Sequence, residues 1–120
     1  MKKQPLLNII VMFFIILNSC ASEQEKMENR MKKFITDFEA VTIPLYREAG
    51  ITSWNANISG SDEDLALSEK ASFEYSKVFT DTKAFNELKE IKESGAVEDP
   101  LLSRQLDLLY DAYLGNQVDT

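Results

Sequence analysis

Between residues 27 and 45 the apolar side chains Met27, Met31, Phe34, Phe38, Val41 and Leu45 recur at alternating steps of four and three. That spacing fits one face of an α-helix and no face of a strand, whose side chains alternate at every residue. Glu28, Asn29, Lys33, Asp37 and Glu39 fall mostly off the stripe, as expected for a helix with one side turned to a core. The reading is one long helix from Glu23 to about Ile51. Pro44 lies inside it, lacks an amide hydrogen and is expected to kink the helix near residues 40–43 or to divide it. Gly50 is a second weak point.

Further start and stop signals follow. Ser59-Gly60-Ser61 marks a turn, Ser61 or Asp62 can cap the next helix, and Asp62-Glu63-Asp64 puts negative charge on its first turn. This second helix is expected to run to about Phe79, with Leu67, Ala71, Tyr75 and Val78 as its stripe and Phe73 and Phe79 widening it. Thr80 or Asp81 starts a third, carrying Ala84, Phe85, Leu88 and Ile91, and Ser94-Gly95 stops it. Asp99 followed by Pro100 is a cap with proline at the first helical position. Leu102, Leu106, Leu109 and Tyr113 follow, and Gly115-Asn116 ends this fourth helix. Its further apolar residues Leu101, Leu108, Tyr110 and Leu114 ask for cover on more than one side, either from more chain than is present here or from a second copy. No stretch alternates as a strand does, so the fold class is all-α, built of helical hairpins.

The amino end has a different character. Lys2 and Lys3 precede the apolar run LLNIIVMFFIIL, which is shorter than a bilayer-spanning helix and suits an export signal. The run leads into Leu17-Asn18-Ser19-Cys20, and Cys20 is the only cysteine. The pattern resembles the lipobox of bacterial lipoproteins, whose cysteine is acylated and becomes the mature amino terminus. It implies a signal peptide over 1–19, a lipidated tether over 20–26 and a helical segment over 27–120. It also implies a membrane partner reached through Cys20, and a place in the bacterial envelope. Ala21 in the next position favours the outer membrane, facing the periplasm, in a Gram-negative cell.

Removing residues 1–19 takes both signal lysines, leaving 11 basic residues against 20 acidic ones and a net charge of −9. Such a balance argues against nucleic acid as a partner and against flat adsorption on anionic lipid.

Catalytic chemistry is sparse. The absence of histidine removes the commonest general base at neutral pH and the usual zinc ligand, and with it any H-E-x-x-H site in these residues. The four glycines stand apart, so no phosphate loop forms, and Asp62-Glu63-Asp64 lacks the alternating ligands and central glycine of a calcium loop. Glu87 and Glu90, and likewise Glu90 and Glu93, are three apart and each pair shares a helix face; with Lys89 and Lys92 interleaved this reads as a solvated surface. Glu28 and Lys32 are spaced for an ion pair along the first helix, and Tyr46, Tyr75, Tyr110 and Tyr113 read as half-buried packing residues.

Several segments together carry a more specific likeness: MENRMKKFI (27–35), Pro44-Leu45, Trp54-Asn55-Ala56, LKEIK (88–92), DPLL (99–102), Arg104-Gln105-Leu106 and LYDAYLGNQ (109–117). In order and spacing they resemble the N-terminal segment of bacterial angiotensin-converting-enzyme-like zinc peptidases, the M2 family of peptidyl-dipeptidases. The resemblance implies a large, mostly helical zinc peptidase with a central channel, acting on short peptides, whose first helices form a lid at the channel mouth. It makes residues 27 to about 60 part of such a lid, with Phe34, Phe38, Tyr46, Trp54 and Asn55 as packing residues at its hinge side. The family's zinc ligands and catalytic base lie far downstream and match no residue here. Catalytic and metal residues are therefore none in this chain, and the remainder of the peptidase domain is the implied partner. The alternative is a small, non-enzymatic helical lipoprotein acting as a binding or structural module.

Trp54 itself sits in ITSWNANISGSDED. The expectation is that its ring packs between the first two helices with its N–H on a polar partner. Asn57-Ile58-Ser59 fits a glycosylation acceptor only formally, given a bacterial envelope.

Overall fold

In the computed structural model the backbone is described for residues 4–117 and side-chain surroundings for residues 23–117. The side chains of residues 1–19, expected from the sequence to be a signal peptide, and of Cys20 lie outside those whose surroundings are described. The chain folds as four α-helices, α1 (Gln4–Ser59), α2 (Asp62–Lys77), α3 (Thr82–Ser94) and α4 (Pro100–Leu114), with a 3-10 turn over Val78–Thr80. Among the described residues there is no strand, so the fold is all-α.

The helix boundaries follow local chemistry. Gly60, at φ 62°, takes the left-handed conformation that closes α1, and its N–H bonds the carbonyl of Ala56 at 2.9 Å. Ser61 then caps α2, its hydroxyl accepting from the Asp64 amide at 3.2 Å. The Ser59 hydroxyl accepts from the Ser61 amide at 3.2 Å and donates to the Asp64 carboxylate, so the corner is tied on both sides. Asp81 caps α3 through the amides of Lys83 and Ala84. Gly95, at φ 64°, ends that helix, and Asp99 caps α4 ahead of Pro100 through the amides of Leu101 and Leu102.

Of the two outcomes expected at Pro44, division of the helix does not occur: α1 runs on through it to Ser59. Both Pro44 and Ala40, whose carbonyl the ring deprives of a donor, are exposed. Water can serve that carbonyl, and packing on both sides of the gap holds the helix together. The helical run of α2 ends near Phe79 as expected, its last turn tightening to 3-10 after Lys77, but its buried stripe is corrected. Its shielded positions are Asp64, Ser68, Ala71, Tyr75 and Val78, while Leu67 and Phe73 face solvent at 50% and 63% exposure.

The core lies where α3 and α4 meet the first part of α1. Met31, Leu88 and Ile91 are fully buried at its centre, with Met27, Leu102, Leu106 and Tyr113 around them. Burying side chains of this size stabilises by ~1.5–3 kcal/mol each. Beyond this core α1 continues as one arm of a hairpin with α2. There its shielded positions are Thr42, Leu45, Ala49, Thr52 and Ala56, again at steps of three and four, and most are small. Small side chains let two helices approach closely but bury little apolar area. The larger residues of this stretch, Ile43, Ile51, Trp54 and Ile58, point away from α2 and are half exposed or more.

Candidate functional site

Where the three-helix core gives way to the hairpin, an open cleft of about 580 Å³ lies between α1, α2, the 3-10 turn and α3. Its floor is apolar: Phe34, Phe38 and Leu45 from α1, Val78 from the turn and Ala84 from α3. Its rim is charged, with Asp37, Glu74, Lys77, Asp81, Lys83 and Glu87.

The floor belongs to a continuous aromatic run. Phe34 and Phe38 stack with centroids 6.4 Å apart, and Phe38 meets Phe79 edge-on at 5.9 Å. Phe79 in turn touches Tyr113 at 5.4 Å and Tyr75 at 5.6 Å, and Tyr75 reaches Tyr46 at 5.6 Å. Edge-on pairs add ~0.5–1.5 kcal/mol beyond their buried area. This run joins the core to the hairpin.

Most rim carboxylates are already engaged. The Arg30 guanidinium clasps Glu87 through Nε at 2.8 Å and Nη2 at 2.6 Å, and its Nη2 also reaches Glu90 at 2.8 Å. This fork raises the Arg30 pKa and holds the Glu87 carboxyl below the ordinary carboxylate value. Asp37 pairs with Lys33 at 2.5 Å, and Asp81 spends its carboxylate on the α3 cap. Burial, reinforced by the nearby charge of Asp81, pushes the Tyr113 phenol up to about 12. Tyr113 is therefore protonated throughout the neutral range. A general acid working at neutral pH needs a carboxyl pKa moved upward, and Glu87 is displaced the other way. The cleft can hold an apolar group against an aromatic floor.

Three polar links outside the cleft fix the same frame. Glu28 does not pair with Lys32 as its spacing suggests. Its carboxylate accepts from Gln24 at 3.1 Å and from the amides of Glu98 and Asp99 at 3.2 and 3.0 Å, pinning the α3–α4 loop to α1. The Gln24 bond first, then the Asp99 amide, lowers the Glu28 pKa. Lys92 pairs with Asp107 across α3 and α4, which raises the lysine pKa, and sits 5.1 Å from the Tyr110 ring centre. Gln117 donates to the carbonyls of Phe79 and Tyr113, both at 3.1 Å, closing the end of α4 onto the 3-10 turn.

The residues singled out in the sequence divide into two groups. Phe34, Phe38 and Tyr46 lie on the one aromatic run, although Tyr46 is 67% exposed. Trp54 and Asn55 stand apart on the exposed side of α1. Trp54 is 68% exposed, and among the described residues neither a second ring nor a hydrogen-bond acceptor meets its indole. It does not pack between α1 and α2, because the seam there is filled by Thr52, Ala56 and their neighbours. Asn57 donates to the Ser53 carbonyl at 2.8 Å and Ser59 is held in the corner, so both residues of the formal glycosylation acceptor are tied to their own helix ends.

Sequence reading missed Arg30 and the cleft. A signal existed for the first: Arg30 flanks the buried Met27–Met31 stripe, and Glu87 and Glu90 are spaced to receive a fork. The cleft depends on the angle between hairpin and core, which no local pattern carries.

The chain has no histidine, and among the described residues no group of three His, Cys, Asp or Glu side chains could hold a metal ion. Among the described residues, too, no helix is long and apolar enough to cross a membrane.

No protein family, curated protein or solved structure matches the chain.

Proposed function

We propose that this chain is the lipid-anchored N-terminal segment of a bacterial M2-like zinc peptidyl-dipeptidase, supplying part of the lid over a peptide channel and none of the catalytic residues. The observation that carries the reading is the inside-out character of the hairpin. Its seam is small and partly polar, while Ile43, Ile51, Trp54 and Ile58 face outward. A helix face of this kind needs a second surface, and the body of a larger helical domain would provide one. Leu101 and Leu108 on α4, at 67% and 58% exposure, call for the same cover. In this reading the segment bounds the channel and limits which peptides enter, and the zinc chemistry belongs to residues outside this chain.

The direct test is the coding DNA beyond the Thr120 codon. An open frame running on into an H-E-x-x-H motif is the expected result, and a stop codon there with no continuation sinks the reading. The purified chain with added zinc should hydrolyse no peptide.

A second reading, a small helical lipoprotein that binds without catalysing, is favoured by one observation. Around Met31, Leu88 and Ile91 the core closes, and among the described residues no buried side-chain polar atom lacks a partner. It expects residues 21–120 to melt cooperatively on their own. Retained helical signal without a cooperative transition counts against it. Both readings place an acyl group on Cys20, so labelled palmitate should enter the protein in bacterial cells and the Cys20→Ser variant should take up none.

A further inference from the structure

We draw no further inference here: the strongest candidate, the apolar stripe of Ile43, Ile51, Trp54 and Ile58 on the side of α1 turned away from α2, is unpartnered, and beyond the docking already proposed nothing in the structure shows what covers it.

Discussion

The two halves of α1 meet their neighbours in opposite ways. From Met27 to Phe38 the helix buries large side chains against α3 and α4, and polar links from Glu28 and Arg30 fix the alignment. From Thr42 to Ala56 it buries small ones against α2 and sends its large residues outward. One helix thus contributes to a core in its first part and to a close-packed seam in its second. A core of large residues is stabilised by the area it hides. The seam gains little from area and depends on close fit, so it tolerates added volume badly.

Mutations should separate the two. The largest effect is expected in the core: Met31→Ala should cost ~2–5 kcal/mol, read as a lowered denaturant midpoint with an unchanged slope. An effect below ~1 kcal/mol would mean that the core is not closed in solution. The seam should respond to the reverse change. Ala56→Leu adds bulk to a position 6% exposed and should cost ~1–3 kcal/mol, whereas the same change in a loose hairpin would be neutral or stabilising. At the corner, Gly60→Ala meets no neighbouring atom within 4 Å, so its cost is backbone strain alone, ~1 kcal/mol in thermal or chemical unfolding.

A smaller effect concerns the Arg30 clasp. The Glu87 carboxyl is held below its ordinary value of 4.5, so its contribution is present above that pH and is lost as pH falls through the depressed folded value. Arg30→Gln should flatten this acid limb of the stability curve. Both partners face solvent in part, so the neutral-pH cost should be only ~0.5 kcal/mol. A pH profile identical to the parent's would show that the clasp contributes nothing. The smallest effect is expected at Trp54. In this chain Trp54→Ala should change stability by under ~0.5 kcal/mol, because the ring touches so little. A loss of ~2 kcal/mol or more would place the indole in a packed site and overturn the contrast between the halves.

What could be read from the sequence was whatever a few neighbouring residues decide. Ser61, Asp81 and Asp99 are caps because their side chains reach amides two or three positions on, and Gly95 stops α3 through its own backbone. The core residues Met27, Met31, Leu88, Ile91, Leu102 and Leu106 were legible from spacing, since helix periodicity and burial coincide there. Where the partner helix sets the rule, the reading failed. Leu67 was assigned to the buried stripe of α2 for its hydrophobicity, yet the close seam selects Ser68. On α1 the shielded face passes from Phe38 to Thr42 and leaves Val41 at 52% exposure, because a strict four-and-three pattern drifts around a straight helix. Glu28 is spaced for Lys32, yet its carboxylate accepts from Gln24 and from two amides of a loop some seventy residues away. Of the cleft, the floor residues Phe34 and Phe38 are legible in the sequence, but the meeting of α1, α2 and α3 that assembles the charged rim is not.

The corner at Gly60 also sets the order in which this chain can assemble. Ser59, Ser61 and Asp64 join within a few residues of one another, and the hairpin can zip outward from that point with little chain to close at each step. The Arg30–Glu87 clasp instead draws together residues 57 positions apart. Closing a flexible loop of that length costs entropy before any contact offsets it. If α1 and α2 are already rigid rods at that stage, only the short 3-10 turn between Lys77 and Thr82 need swing for α3 to find its place. Early hairpin formation would thus convert a long search into a short one. The weakly buried seam would then matter more for the speed of folding than for the stability of the finished fold.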